Sequence, residues 1–195
     1  SVTGKYYGVE KTIEKEFTVF KKGYSADPST PNTAGSCSEV SPKSVASQDN
    51  APTSIAFGDG GRKMFIAGNQ GDDVNEYTLA GPYCLNAVTF VDSFSVQSED
   101  SQPHGLTFTD DGLKMFVVGK TNDKIFQYTL AENFDVSTAS YTKSFSVNNQ
   151  ETKPSGMAFD PSGRYMFIVG IDGDDVTVYK LSENFDISTA VVQSG

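Results

Sequence analysis

Apolar and polar side chains alternate along this chain in short runs, and from residue 52 onward the runs return in a fixed order. A first run ends near Phe57, Phe108 or Phe159 and meets a turn closed by Gly61, Gly112 or Gly163. A second opens on the pairs Met64 and Phe65, Met115 and Phe116, or Met166 and Phe167, and stops at Gly68, Gly119 or Gly170. A third alternates through Val74, Glu76 and Leu79, through Ile125, Gln127 and Leu130, or through Val176, Val178 and Leu181, with Tyr77, Tyr128 and Tyr179 at matched places. A fourth runs from Phe90 to Val96 and from Tyr141 to Val147. Period-two alternation is the pattern of strands, and none of these runs shows the 3.6-residue period of a helix. Four strands per unit are expected.

Set in rows offset by 51 residues, the units align without a gap, each opened by Pro52, Pro103 or Pro154. Four short strands in a repeat of about 40 to 50 residues make one blade of a β-propeller. The fold expected is therefore all-β, with blades at 52–102, 103–153 and 154–195, the last one truncated. The segments GDGG, TDDG and DPSG supply the Asp and Gly that a tight hairpin needs between strands one and two. In the same register Pro31 falls under Pro82, Val45 under Val96 and Asp49 under Asp100. Residues 1–51 are accordingly read as a degenerate partial blade, with 5–19 as its inner hairpin if the stretch around KKGYSADPS is an insertion.

The rows QPHGLTFTDDGLKMFVVG and KPSGMAFDPSGRYMFIVG resemble the repeats of lactonase-like (YVTN) and NHL-type propellers. The resemblance runs over residues 52–195 and implies a propeller fold. It also brings a lactonase-like hydrolase into view, although this scaffold carries hydrolases, lectins and adhesive modules alike. The metal ligands of that family have no visible counterpart here, so none is transferred. Propellers have 4 to 8 blades, and three units with a degenerate fourth leave the ring incomplete in one chain. Bare strand edges template pairing with other chains, so a homo-oligomer or larger assembly through open blade edges is expected, unless the chain is part of a longer one.

Composition narrows the partners. The chain has 195 residues, 25 acidic and 15 basic, for a formal charge of −10, and no Lys/Arg cluster. Nucleic acid and anionic membranes are poor partners for such a surface. No apolar run reaches the roughly 18 to 20 residues of a membrane span, no signal-peptide pattern opens the chain, and Ser1 reads as a mature or trimmed end. The two cysteines, Cys37 and Cys84, lack the spacing of a zinc or thioredoxin-like motif. They either pair, adding about 4 kcal/mol in the chain-entropy model, or remain thiols.

In a propeller the loops from strand four to one and from strand two to three share one face. That places Asp72, Asp73, Asp100, Asp123, Asp172, Asp174 and Asp175 together with the lone His104 as ligand candidates. Such oxygen donors suit calcium or sugar hydroxyls, but NQGDD and IDGDD do not have the form of an EF-hand loop. No nucleophile, base and orienting group can be named together, so no catalytic set is assigned. The Met-Phe pairs read as core, and ENFDVSTA and ENFDIST as structural turns. The leading expectation is a non-enzymatic extracellular or particle-surface module binding itself, a glycan or a protein. The alternatives are a metal-dependent lactonase-like hydrolase and a propeller lectin.

Overall fold

The computed structural model describes residues 2–6, 9–13 and 42–193, the first two stretches as backbone. The chain divides into two units, Ser1–Thr33 and Ala34–Gly195. In the first, β1 (Val2–Tyr6) and β2 (Val9–Ile13) form an antiparallel hairpin in which Val2 faces Ile13. It begins before the hairpin expected at 5–19, and the rest of that expected element, like the outer strand expected from residue 31, lies outside the described residues. The boundary at 33 also divides what was read as one partial blade.

The second unit contains three four-stranded antiparallel meanders. Blade 1 comprises β3 (Pro52–Gly58), β4 (Lys63–Gly68), β5 (Asp73–Leu79) and β6 (Val88–Ser95). Blade 2 comprises β7 (Pro103–Phe108), β8 (Lys114–Gly119), β9 (Lys124–Leu130) and β10 (Ala139–Ser146). Blade 3 comprises β11 (Pro154–Phe159), β12 (Tyr165–Gly170), β13 (Val176–Leu181) and the short β14 (Ala190–Val192), which pairs with β13. No α-helix occurs among the described residues, and no helix there is long and apolar enough to cross a membrane.

Inner strands of successive blades lie side by side. Thr53 Oγ1 donates to the Pro103 carbonyl at 2.6 Å, and the Leu106 N–H donates to Ser54 Oγ at 3.1 Å. Alternation along each middle strand then sends one apolar set to each neighbour. Phe65, Ala67 and Val74 of blade 1 pack with Leu106, Met115 and Val117 of blade 2. Phe116, Val118 and Ile125 of blade 2 pack with Met166, Ile168 and Tyr179 of blade 3. Both members of the first two Met-Phe pairs are therefore buried. Ring contacts cross each junction, Phe65 to Phe108 at 4.4 Å and Phe116 to Phe159 at 4.7 Å between centroids.

A clasp closes the opposite edge of every blade. Tyr83, Phe134 and Phe185 adopt left-handed backbone, with φ of 56°, 56° and 54°. Their N–H groups donate to the carbonyls of Gly61, Gly112 and Gly163 at 2.7, 3.0 and 2.9 Å. Gly112 has φ 69°, and a Cβ there would run into the Phe134 ring, so two independent constraints call for glycine. The segments ENFDVSTA and ENFDIST are the turns that deliver these rings. Asp135 and Asp186 cap their 3₁₀ turns by accepting from the N–H groups of Ser137 and Ser188.

Polar groups also cross the junctions. Glu76, 1% exposed, pairs with Lys63 Nζ at 2.7 Å and accepts the Val136 N–H of the next blade at 3.0 Å. Lys63 Nζ reaches on to the Phe134 carbonyl at 2.8 Å. One unit along, Lys114 Nζ donates to the Phe185 carbonyl at 3.1 Å, and Gln127 Oε1 accepts the Ile187 N–H at 3.3 Å. Glu76→Ala orphans a buried N–H and removes the lysine's counter-charge, which should destabilise by about 3 kcal/mol. Glu76→Gln should cost distinctly less, because an amide already does this work in blade 2; urea melts of the two variants check the ranking.

Candidate functional site

The innermost strands share a feature the sequence did not reveal. Register slips between Pro52 and Ser54, between Pro103 and Gly105, and between Pro154 and Gly156. Each slip leaves one residue, Thr53, His104 or Ser155, bulged out of the ladder at the strand's entrance. Bulges re-aim side chains, and here three of them do so at one end of adjacent inner strands. Facing them are the residues that follow the second strands. Asn69, Lys120 and Ile171 donate their N–H groups to the carbonyls of Ala51, Gln102 and Lys153, each at 3.1 Å. The rim is thus made of two columns that differ in every blade.

His104 is the chemically distinctive member. Asn69 Nδ2 lies 3.4 Å from its Nε2, and Asn69 Oδ1 is buried without a hydrogen-bond partner. Burial, and then the positive charge of Lys120, push the imidazole pKa below its usual value, against a smaller opposite pull from Asp100. The ring is therefore neutral near pH 7 and able to take a proton. The field of Lys120 also reaches Asp172, whose pKa is lowered chiefly by its bonds from Thr152 and Lys153. At the rim a neutral imidazole thus lies beside the Asn69 amide and within the field of Lys120.

Most of the acidic candidates are engaged elsewhere. Asp100, 2% exposed, accepts the N–H groups of Gln102, Thr121 and Asn122 at 2.8, 3.2 and 2.8 Å. The same column holds Asp49, which accepts from Ala51, Gln70 and Gly71, and Glu151, which accepts from Lys153, Asp172 and Gly173. Each carboxylate ties an exit loop to the hairpin of the following blade. For Glu151 burial raises the pKa, but the three donors outweigh it and the net shift is downward. Beside this column the hydroxyls of Tyr77, Tyr128 and Tyr179 donate to Gln48, Glu99 and Gln150 at 3.4, 3.4 and 3.0 Å.

Asp72, Asp123 and Asp174 occupy the left-handed position of the hairpins between second and third strands, with φ of 50°, 52° and 52°. Asp tolerates that conformation better than most residues. The carbonyls of Asp72 and Asp123 accept the N–H groups of Val96 and Val147 at 2.8 and 2.9 Å. Asp72 Oδ2 takes Gln97 Nε2 at 3.1 Å while its Oδ1 stays buried and unpaired. Asp123 takes Asn148 Nδ2 at 2.7 Å, and Asp175 takes Thr177 Oγ1 at 3.4 Å. Asp73 has a raised pKa, mainly from burial and further from Asp49 and Asp72, opposed by its bond from Asn75. No cofactor is required by the sequence and calcium is one option for this face; among the described residues no three His, Cys, Asp or Glu side chains converge as a metal ion would require. Cys84 is buried and disulfide-bonded; Cys37 lies outside the described residues.

Residues 21–189 match the model of the family described as lactonase, 7-bladed β-propeller. The chain belongs to that family. No curated protein matches it. Among solved structures, a Bacteroides fragilis protein titled as a candidate 6-phosphogluconolactonase superposes with a TM-score of 0.54 at 12% identity, covering 73% of this chain and 37% of that one. The periplasmic gluconolactonase of Pseudomonas aeruginosa gives 0.52 at 16% identity, covering 73% and 38%. The β-propeller domain of Cps50 (Swd1) from Myceliophteria thermophila gives 0.50 at 8%, covering 67% and 38%. These likenesses establish the propeller fold, and the chain spans less than two fifths of each of these three structures.

The lactonase family assignment agrees with the resemblance read from the repeats. Asn69 falls in a loop of the face that the sequence marks as acidic and amide-rich, whereas Lys120 lies outside those loops and carries no signal of its own. Asp49 and Glu151 were findable, since they share the column of Asp100.

Two outcomes follow. Asp100→Ala should destabilise the fold by about 2 to 3 kcal/mol in urea melts, because it strands three backbone donors rather than emptying a ligand site. His104 is the only histidine. Its depressed pKa means that the unfolded chain takes up a proton first, so stability is full above the ordinary histidine range and falls as pH drops through it. Thermal melts between pH 7.5 and 5.5 should show this slope in the parent and lose it in His104→Gln.

Proposed function

We propose that the protein is a lactonase-like hydrolase that opens a small cyclic ester at the rim formed by Thr53, His104 and Ser155. The observation that carries this reading is the bulge that sets a neutral His104 beside the Asn69 amide nitrogen and within the field of Lys120. Family membership supports it, as do the structural neighbours titled as gluconolactonases. These features favour it over the non-enzymatic module expected from the sequence.

In this scheme His104 removes a proton from water as the water oxygen attacks the lactone carbonyl carbon. The carbonyl oxygen gains negative charge, which the Lys120 ammonium stabilises. Collapse of the tetrahedral intermediate breaks the ring C–O bond, and the proton held by His104 passes to the departing alkoxide, yielding a hydroxy acid. Asn69 Nδ2, 3.4 Å from His104 Nε2, holds the imidazole at the rim. The described residues do not assemble a metal-binding set, so no step is routed through a metal. The disulfide at Cys84 and the periplasmic neighbour support a location outside the reducing cytosol.

Lactone hydrolysis followed by pH-stat tests the scheme. Turnover should rise with pH along a limb centred below the ordinary histidine value, and His104→Gln should lower kcat by about 100-fold or more. Lys120→Ala should slow turnover while leaving the fold unchanged by circular dichroism. Saturable binding of a sugar lactone with no turnover would replace this reading by the lectin; neither binding nor turnover would return the protein to the scaffold reading.

A further inference from the structure

Each blade carries one Asp-Gly pair in a loop: Asp59 with Gly60, Asp111 with Gly112, and Asp172 with Gly173. A glycine puts no side chain between its amide nitrogen and the carboxyl before it, so such pairs are prone to close on themselves. Two of the three are restrained. The Asp111 carboxylate accepts from the Thr109 hydroxyl at 2.6 Å and from the Leu113 N–H at 3.0 Å, and the Gly112 N–H donates to the Thr109 carbonyl at 2.9 Å. The Asp172 carboxylate accepts from the Thr152 hydroxyl at 2.8 Å and from Lys153 Nζ at 3.0 Å, and the Gly173 N–H donates to Glu151 Oε2 at 2.9 Å. In both pairs the carboxylate and the nitrogen are held apart by other partners.

Blade 1 has no such restraint. Asp59 and Gly60 stand exposed at the tip of the β3–β4 hairpin, in left-handed backbone with φ of 48° and 60°. Among the described residues no hydrogen bond engages the Asp59 carboxylate, and a side chain built on Gly60 would meet nothing within 4 Å. The hairpin is closed instead by its neighbours, the Arg62 N–H donating to the Asp59 carbonyl at 3.1 Å and the Tyr83 N–H to the Gly61 carbonyl at 2.7 Å. The cause lies one residue earlier. Thr109 Oγ1 accepts the Lys114 N–H at 3.1 Å while it holds Asp111, and Asp160 accepts the N–H groups of Tyr165 and Ser162 at 2.7 and 3.1 Å. The matching residue of blade 1 is Gly58, where the Phe134 ring fills the place of a Cβ. Asp110, which matches Asp59, also makes no side-chain hydrogen bond among the described residues although blade 1 precedes it, so this position is not one that a preceding blade engages.

We propose that Asp59 is a site of spontaneous covalent modification, isomerising through a cyclic imide to isoaspartate while Asp111 and Asp172 stay as they are. The Gly60 nitrogen attacks Cγ of the protonated Asp59 carboxyl, forming an N–Cγ bond. The Cγ–OH bond breaks, and the hydroxyl leaves with the amide proton as water. Water then opens the imide at one of its two carbonyls. Cleavage at Cγ restores aspartate, and cleavage at the main-chain carbonyl gives isoaspartate, in which the chain runs through Cγ. Each such event adds one carbon to the backbone of the hairpin and leaves a free carboxylate near Gly61, whose carbonyl holds the Tyr83 clasp. That carboxylate is the group an isoaspartyl methyltransferase esterifies, which names the class of enzyme that would recognise the modified chain.

Peptide mapping of the folded chain after prolonged incubation near neutral pH gives the test, with electron-transfer fragmentation to tell isoaspartate from aspartate. Isoaspartate, and an imide lighter by the mass of one water, should accumulate at Asp59 and be lacking at Asp111 and Asp172. Transfer of a labelled methyl group by an isoaspartyl methyltransferase should rise in step. In urea, where the bonds to Asp111 and Asp172 are gone, all three pairs should react. Asp59→Glu, whose longer side chain must close a larger ring, should lose the signal completely with an unchanged circular dichroism spectrum. A folded chain that gains no isoaspartate at Asp59, or gains as much at Asp111 or Asp172, overturns the proposal.

Discussion

A twisted four-stranded sheet whose middle strands alternate apolar residues to both sides has two faces to keep from water. No single blade in this protein can do so, because Met64 and Phe65 point opposite ways and both are large. Burial of an aliphatic or aromatic side chain stabilises by roughly 1.5 to 3 kcal/mol, and it is realised only when another blade covers the face. Stacking of blade on blade is therefore the condition on which the architecture rests. The loop and hairpin bonds act on blades that this packing has already brought together.

The polar contacts turn that packing into a fixed geometry. Apolar contact alone is tolerant of sliding, whereas the Val136 N–H can be satisfied by Glu76 at only one blade offset. The same holds for Ile187 with Gln127 and, on the other face, for the Thr121 and Asn122 N–H groups with Asp100. A slip of one residue would bury unpaired donors, at about 1 to 3 kcal/mol each. Carboxylates at the loops thus set the spacing of the blades, which explains why an acidic face with many candidate ligands contains so few free oxygens.

Much of the fold was legible because repetition converts weak local signals into columns. Phe57, Phe108 and Phe159 mark one strand each, and Gly61, Gly112 and Gly163 mark the hairpins that the structure shows with positive φ. The site was legible only in part. His104 stood out as the lone histidine, but its exposure depends on a bulge, and a bulge is a property of pairing between strands rather than of one strand's pattern. Asp100 was taken for a ligand because spacing locates a carboxylate without telling what donates to it. The hairpin of the first unit was misplaced because residues 1–51 have lost the period that guided the reading elsewhere.

Repetition also separates scaffold from site. Columns that hold the same chemistry in every blade, such as Asp49, Asp100 and Glu151 or Tyr77, Tyr128 and Tyr179, meet a demand that recurs in every blade. Columns that change are free of that demand. At the rim the changing columns are Thr53, His104 and Ser155 and, opposite them, Asn69, Lys120 and Ile171. Thr53 Oγ1 bonds the Pro103 carbonyl across the first junction, and the second junction closes with a histidine in that place, so stacking does not fix the residue there. Their differences therefore leave stacking intact while giving each blade a different surface to present. The imidazole, the Lys120 charge and the Asn69 amide at the rim all sit where stacking leaves the residue open.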